Sequence, residues 1–431
     1  MSTQVILMPT KFTTLFAPLA VVGYCVTHAD VLHPLRKVKL SIKTRQHQPY
    51  EKMQDVLVSV LANCSSIKQI DLRIRPDVVL AEAWGREQFA EQSTLAETLN
   101  AFNETAVTEL RHAVETIHQQ HGQVFHHPFA TDLLRLDIDL TGLRASPRAQ
   151  GSTKGYFSGK RNAYGRQVVR VSAPTYRETL FSKLYVGSQH GTTVFKSTIT
   201  TVQRLLQLSP EQCRRTLLRT DAGLGTDSNI NWALSHNFQV LMKGYNGKRA
   251  LALAQRIQPD DWFALREKRW VAIAQNAPRY ARRTQTLVLR WITESGETKH
   301  ATLVHSLLDH DWRTIPDLFD DRGAMESEIK MDKWGLLLPR RRKHLFAAQE
   351  ALILLTDLAH NLLAWLHPWM FANSRFANFG PVALVNDVLC MPGEIVIKGG
   401  KLQMVSLWDT HPYAPEMRTC VLKLLDYFGS P

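Results

Sequence analysis

Apolar and polar residues alternate strictly along one stretch in the first third of the chain, residues 135–142. This period of two predicts a β-strand whose two faces differ in chemistry. The apolar face carries Leu136, Ile138 and Leu140, and the polar face carries Asp137, Asp139 and Thr141. A second apolar run, 216–220, predicts a strand that ends just before Asp221. Both predicted strands therefore bring carboxylates to the sheet that they would share.

Helical periods replace this alternation toward both ends of the chain. Apolar residues recur at helical spacing through 107–117, and Gly122 is typical of a helix end. The long apolar stretch 345–365 predicts a buried helix that backs the sheet, and 415–428 predicts a last helix. Between these two helices, 393–407 predicts a hairpin that turns at a Gly-Gly pair.

Residues 15–25 form an apolar stretch near the N-terminus. Pro18 interrupts it, and the stretch is too short to span a bilayer. No convincing cleavage site for a signal peptide follows it. We therefore predict a buried helix or strand here.

Residues 246–312 depart from the pattern of the preceding region. Strands are predicted over 271–274, 286–291 and 302–307. Basic residues lie among aromatic ones in this region, an arrangement that can hold a nucleic-acid backbone and stack a base. The residues concerned are Trp262, Trp270, Arg279, Tyr280, Arg282, Arg283 and Trp291. Packing in the core is the alternative role for each tryptophan.

A third acid lies in the stretch 321–333, which is predicted to form a helix. The residues that would share one face of this helix are Arg322, Glu326, Ile329 and Lys333. An acid between two bases suits a site that binds a metal through the carboxylate and a phosphate through the cations. The alternative is a solvated helix face with ion pairs between neighbouring turns.

Composition narrows the class of protein. The 431 residues are enough for two or three domains with a sizeable core. The net charge of +13 and the sequence pI of about 9.6 favour a polyanionic partner, most often nucleic acid. The alternative is a basic soluble protein without such a partner. Five scattered cysteines without a CxxC pair argue against a disulfide framework or a zinc ribbon and fit a reducing cytoplasm.

Taken together, these motifs resemble those of DDE transposases of bacterial insertion sequences, in the cut-and-paste group with a β-rich insertion before the last acid. Around that acid the group has Tyr, two residues, Arg, three residues, Glu, six residues and Lys. This chain has Phe319, Arg322, Glu326 and Lys333 at those spacings. Phenylalanine in place of tyrosine keeps the aromatic ring and lacks the hydroxyl. The resemblance covers roughly residues 80–410.

The first two acids of the group also have counterparts in this chain. The group's Asp-x-Thr is matched by Asp139 and Thr141. Its Arg-x-Asp-x-Gly is matched by Arg219, Asp221 and Gly223. The three motifs occur in the same order as in the group, which makes the resemblance more specific than any one of them.

The resemblance implies an α/β fold, with a ribonuclease-H-like mixed-sheet catalytic core, a β-rich insertion and a helical N-terminal domain. Residues 1–130 would form the helical domain and bind DNA, and 131–245 would form the first part of the core. The insertion would span 246–312, and 313–431 would complete the core and add the C-terminal hairpin and helix. A packing subdomain without DNA contacts is the alternative for the N-terminal region.

The resemblance also implies two-metal phosphodiester chemistry, with Asp139, Asp221 and Glu326 as the ligands of two Mg²⁺ ions, for which Mn²⁺ can substitute. Asp137 lies on the same strand face as Asp139 and is its rival. The Asp-x-Thr match favours Asp139. Glu328 is the rival of Glu326 but lies on another face of the predicted helix.

Three residues around the last acid are expected to contact DNA near the cleaved end. Arg322 and Lys333 would position phosphates, and Phe319 would pack or stack without the hydrogen bond of a tyrosine. Asp227 is a further candidate for the second acid, but a helix-capping role suits it better, and either Thr226 or Asp227 is predicted to cap the helix that begins there.

The resemblance implies a transposase of the bacterial cytoplasm, associated with the nucleoid. It would bind terminal inverted repeats of double-stranded DNA as a homodimer, cleave the DNA and transfer the 3′ ends to a target. Two alternatives remain open at this point. One is a nuclease with the same core that does not integrate DNA, and the other is a non-catalytic DNA-binding protein derived from a transposase.

Overall fold

The chain, in a computed structural model, divides into two compact units. The first unit combines Met1–Gly122 with Lys330–Pro431, and the second comprises Gln123–Ile329. The residues that the structure describes are 12–44, 46–157, 160–322 and 336–429. The middle of the chain therefore forms one unit, while segments from both ends form the other.

The N-terminal part of the first unit is mainly helical. Its elements are β1 (Thr13–Thr14), α1 (Ala17–His28), α2 (Pro49–Leu61), α3 (Ile70–Arg73), α4 (Val78–Ala83), α5 (Gln92–Asn100) and α6 (Glu104–His121). Residues 17–26 of α1 are buried, which confirms the prediction of a buried element at 15–25. Helix α6 buries its predicted apolar face, and Gly122 follows its last turn. Across the residues that the structure describes, we find no helix with the length and apolar character needed to span a bilayer.

A single sheet runs through the second unit. Its strands are β2 (Leu134–Arg144), β3 (Thr153–Phe157), β4 (Lys160–Ala173), β5 (Glu178–Val186), β6 (Thr216–Thr220), β7 (Gln239–Lys243), β8 (Phe263–Arg266), β9 (Arg269–Ile273), β10 (Gln285–Ile292) and β11 (Thr298–His305). The strand order is β3-β4-β2-β6-β7-β11-β10-β9-β8, and β5 also pairs with β4.

The centre of this sheet has the mixed orientation expected of the catalytic core. Strand β4 pairs antiparallel with β2 on one side and with β5 on the other. Strand β6 then pairs in parallel with β2, and β7 pairs in parallel with β6. Helices lie between the parallel strands in the chain, because parallel connections require a crossover. The predicted α/β fold class with a mixed sheet is confirmed.

The strands predicted within 246–312 are present as β9, β10 and β11. They extend the same sheet, because β11 pairs antiparallel with β7. Strands β10, β9 and β8 follow outward in antiparallel order. The region is therefore continuous with the core sheet through backbone hydrogen bonds, and its boundaries as a separate domain stay a prediction.

Helices cover both faces of the central strands. They are α7 (Gly191–Leu205), α8 (Pro210–Arg214), α9 (Asp227–Ser235), α10 (Gly247–Ala254) and α11 (Ile315–Asp320). The apolar residues of β2 share one buried cluster with Phe195 and Ile199 of α7. Leu217 of β6 and Ile315 of α11 belong to a second buried cluster. This burial of apolar side chains stabilises the strands that carry the predicted acids.

The C-terminal part of the first unit contains α12 (Phe346–Leu366), α13 (Pro381–Ala383), β12 (Gly393–Lys398), β13 (Lys401–Leu407) and α14 (Ala414–Tyr427). The predicted hairpin is confirmed, and its turn residues Gly399 and Gly400 have φ of 57° and 75°, which favours glycine. Helix α12 was predicted to back the sheet of the core. It instead packs against α2, α5 and α6 within the first unit, because apolar residues surround it on all sides.

Candidate active site

Two predicted acids come together where the parallel pairing of β2 with β6 ends, Asp139 within β2 and Asp221 just after β6. In the register of β2 with β6, Ile138 lies beside Thr220. Asp139 and Asp221 each follow this last pair by one residue. Because paired strands lie about 4.8 Å apart, the backbone places the two acids side by side. The fold thus joins carboxylates that are 82 residues apart in the sequence.

Asp137, the rival of Asp139, is occupied by a partner inside the sheet. Its side chain is fully buried, and Arg219 donates from Nε to Oδ1 at 2.6 Å and from Nη2 to Oδ2 at 2.7 Å. Burial raises the pKa of Asp137, and the hydrogen bonds from Arg219 oppose this shift. The side chain of Asp139, in contrast, is 20% exposed. This difference favours Asp139 as the metal ligand.

Arg219 also connects strand β6 to helix α11, far along the chain. Its Nη1 donates a hydrogen bond of 2.6 Å to the backbone oxygen of Leu318 in α11. The guanidinium is 1% exposed and so holds β2, β6 and α11 together from within. The sequence motif contained Arg219 but did not indicate this positioning role, since its partners lie 82 and 99 residues away.

The loop after β6 orients the carboxylate of Asp221. The backbone N–H of Gly223 donates to Oδ1 of Asp221 at 3.0 Å. The backbone oxygen of Asp221 accepts from the N–H groups of Leu224 and Gly225, which folds the loop back on itself. The acid is therefore held by backbone groups of its own loop.

Gly225 allows this loop to approach β7. A Cβ at this position would lie 1.9 Å from the backbone oxygen of Lys243, so alanine would have to push the two segments apart. We expect Gly225→Ala to lower the free energy of unfolding by about 1–3 kcal/mol, measured by chemical denaturation. Gly247→Ala is the matched control, because nothing lies within 4 Å of its added Cβ. Equal losses in both variants would contradict this account.

Arg322 is the motif cation that reaches the acids. Its Nη2 lies 3.7 Å from Oδ1 of Asp139, and the residue is 4% exposed. Its guanidinium also lies 5.9 Å from the ring centre of Phe319. Phe319 therefore packs beside the cation, a contact that needs no hydroxyl. Glu326 and Lys333 lie outside the described residues, as does Glu328, so their positions stay predictions.

Asp227, the further candidate for the second acid, belongs to a different cluster. Of the two predicted caps of α9, Thr226 is the one observed, because its hydroxyl oxygen accepts from the N–H of Asn229 at 3.3 Å, and a capping role for Asp227 was wrong. Arg249 instead donates two hydrogen bonds to Asp227 at 2.8 and 2.7 Å, and the hydroxyl of Tyr280 donates a third at 2.9 Å. The hydrogen bonds from Arg249 lower the pKa of Asp227.

The tryptophans of the 246–312 region contact cations of the same sheet. The Arg290 guanidinium lies 4.2 Å from the ring centre of Trp262 and 4.7 Å from that of Trp270. The Lys243 ammonium lies 5.6 Å from the ring centre of Trp291. Each ring thus has a packing role within the protein, as the alternative interpretation of these residues requires.

Carboxylate oxygens are the ligands that hard divalent cations prefer. Asp139 within β2 and Asp221 just after β6 supply such oxygens on neighbouring strands, and the side chain of Asp139 is partly exposed whereas that of Asp137 is buried. Among the residues that the structure describes, we find no group of three or more His, Cys, Asp or Glu side chains that is arranged to hold a metal. Two of the three predicted ligands therefore fit a metal site, and the third lies outside the described residues.

The family of the chain follows from comparison with known proteins. The model of the family described as "Transposase DDE domain group 1" matches residues 22–427. This match covers nearly the whole sequence, so the chain belongs to the DDE transposase family. The class predicted from the three acidic motifs is thereby confirmed.

The chain is similar to a piggyBac transposase seen in a cryo-EM structure of its synaptic complex with hairpin DNA. The TM-score is 0.48 and the sequence identity is 11%, over 86% of this chain and 79% of the other. No curated protein matches the chain significantly.

Proposed function

We propose that this transposase binds the terminal inverted repeats of its own element, cleaves the DNA there and transfers the 3′ ends to a target. Membership of the DDE transposase family supports the general reaction. The observation that carries the proposal is the parallel register of β2 with β6, which brings Asp139 and Asp221 together. Glu326 completes the proposed ligand set through its place in the family motif.

The proposed ligands suit Mg²⁺, with Mn²⁺ as a substitute, because both ions prefer oxygen donors. Two bound ions would supply an activated oxygen nucleophile and neutralise charge on the leaving oxygen. The protein's own contribution is to hold the carboxylates in place. The Gly223 N–H orients Asp221, and the Arg219–Asp137 pair anchors the two strands behind the site.

Arg322 is proposed to position both Asp139 and a DNA phosphate. Arg322 Nη2 lies 3.7 Å from Asp139 Oδ1, and a guanidinium has five N–H donors in a planar fork that suits carboxylate and phosphate groups. Phe319 supports the guanidinium by packing beside it. Lys333 is proposed to bind a neighbouring phosphate, as its place in the motif indicates.

Double-stranded DNA is the proposed partner, both as element ends and as target. The net charge of +13 supports binding to a polyanion, with an affinity that falls as salt is added. Because an element has two ends, we propose that a homodimer holds both of them. We propose that the protein acts in the bacterial cytoplasm, on the nucleoid.

The first test is strand cleavage on a DNA fragment that contains the gene's own flanks. We expect cuts at the two element ends in Mg²⁺, followed by joining of the new 3′ ends to a second DNA. Removing the metal with EDTA should stop cleavage, and added Mg²⁺ or Mn²⁺ should restore it, because the proposed nucleophile depends on the metal. Mapping the cut sites on sequencing gels is the measurement.

A fragment of equal length with scrambled flanks is the control. Cleavage that is equal on both fragments would contradict recognition of the element ends. Cleavage at the ends without joining would indicate a nuclease of the same core. Tight binding to the ends without any cleavage would indicate a non-catalytic DNA-binding protein.

A further inference from the structure

A polar cavity of about 550 Å³ lies in the helical part of the first unit. The segment before α2, α2 itself and the residues around the start of α5 form its walls. Its charged and titratable lining residues are Lys43, His47, Lys52, Arg75, Glu91 and Glu97. A cavity of this size can hold a small charged ligand.

Lys52 is the most unusual residue of the lining. It is only 4% exposed, yet its ammonium group makes no hydrogen bond or ion pair with a described residue. Burial lowers the pKa of Lys52, and the charges of the Glu97, Glu51 and Asp55 carboxylates partly oppose this shift. Lysine is rarely buried to this extent without a partner, because the charged form loses hydration. An anion in the cavity would supply the missing partner.

His47 adds a second donor to the same wall. Nη2 of Arg86 lies 2.7 Å from Nδ1 of His47. A guanidinium can only donate, so Nδ1 accepts and the neutral ring carries its proton on Nε2. Burial, followed by the charge of Arg86, lowers the pKa of His47 and favours this neutral form. Arg86 is itself held by an ion pair with the buried Asp55, which keeps the ring oriented.

The acids of the lining do not occupy these donors. Glu91 pairs with Arg75, with 2.9 Å between Oε1 and Nη2. Glu97 lies on the exposed side of α5 and acts on Lys52 through its charge, without a hydrogen bond to it. Lys52 and His47 therefore keep donors that the lining acids do not bind, and Glu97 is the exposed acid beside them.

We infer that this cavity is a phosphate-binding site, in which the Lys52 ammonium and the His47 Nε2–H hold the phosphate oxygens. Lys43 lies at the mouth of the cavity and adds positive charge there. A phosphate group carries several strong acceptors, which matches a wall with separate donors. The phosphate belongs either to a DNA backbone or to a free phosphate compound. The DNA form rests on the proposed function, whereas the free form does not.

The test compares Lys52→Met with Lys68→Met in the full-length protein. Both variants remove one positive charge from the first unit, but Lys68 is exposed and does not line the cavity. One arm titrates inorganic phosphate by calorimetry, with sodium chloride at equal ionic strength as the blank. The other arm measures binding of a DNA duplex from the gene's flanks by fluorescence anisotropy at fixed salt.

We expect Lys52→Met to weaken binding about tenfold in at least one arm, and Lys68→Met to change it less than twofold. If Lys52→Met weakens DNA binding, whether or not it also weakens binding of inorganic phosphate, the site is assigned to a DNA phosphodiester. A loss in the phosphate arm alone assigns it to a free phosphate compound. Equal behaviour of the two variants in both arms would overturn the inference.

Glu97→Gln removes a negative charge from the cavity, whereas Lys52→Met removes a positive one, so the two variants should change anion binding in opposite directions. Removing the Glu97 carboxylate reduces repulsion of an anion, so we expect the arm that depends on Lys52 to show binding about two- to threefold tighter. Unchanged or weaker binding in that arm would contradict a phosphate in the cavity. Neither arm of this test measures cleavage. A wild-type protein that fails to cut DNA carrying the gene's flanks would therefore contradict the proposed function, but the binding test of the cavity would still be decisive.

Discussion

Asp221→Asn should reduce Mg²⁺-dependent strand cleavage by about a thousandfold or more, because the loss of a metal-binding carboxylate removes several kcal/mol of transition-state stabilisation. Asparagine keeps the size of the side chain and can still accept from the Gly223 N–H, so the loop should keep its shape. Only the negative charge is lost. Glu326→Gln should have an effect of the same order if it supplies the third ligand. Single-turnover cleavage of the element ends is the measurement.

Asp227→Asn is the matched control for this experiment. It makes the same chemical change six residues away, at a carboxylate bound by Arg249 and Tyr280. We expect cleavage within about threefold of wild type, since the pair with Arg249 is about one-third to one-half exposed and contributes little to stability. Cleavage retained in Asp221→Asn, or lost equally in both variants, would remove Asp221 from the proposed site.

Asp137→Asn should lower the free energy of unfolding by about 3–5 kcal/mol, because it leaves Arg219 as a buried charge without its counter-ion. Arg219 is 1% exposed and Asp137 is fully buried, so water cannot replace the lost partner. The change is therefore much larger than expected for a surface ion pair. Equilibrium denaturation with urea, monitored by circular dichroism, measures the effect.

The double variant Asp137→Leu with Arg219→Met separates stability from chemistry. Replacing both charges by apolar groups of similar size should recover most of the lost stability, since no unpaired charge remains. If Asp137 serves only as an anchor, the double variant should also recover part of the cleavage activity. A stable double variant without any cleavage would instead support a direct role for Asp137 in the active site.

The identity of the two acids could be predicted only in part from local patterns. Alternation places Asp137 and Asp139 on the same strand face, so periodicity cannot separate them. The family motif favoured Asp139. The structure adds the physical reason, because Arg219 lies beside Asp137 in the register of β2 with β6 and binds both of its oxygens.

Local sequence patterns did predict most elements of the second unit. The alternation at 135–142 corresponds to β2, and the apolar run before Asp221 corresponds to β6, because side-chain period and burial are local properties of a strand. The resemblance of the acidic motifs, in their order along the chain, to those of DDE transposases predicted the class that the family match confirms. These features need no knowledge of distant contacts.

Contacts between distant residues decided the rest. The apolar character of α12 predicted that it is buried, but only the packing of α2, α5 and α6 around it shows in which unit. A tryptophan pattern cannot reveal that Arg290 stacks on Trp262 and Trp270. The burial of Lys52 could not be predicted from the sequence either, since the residues around it come from separate segments of the chain. The local patterns and motifs of the sequence therefore determined the class of protein and the positions of its strands. The partners of each charged side chain depend on contacts between distant residues, which only the tertiary structure shows.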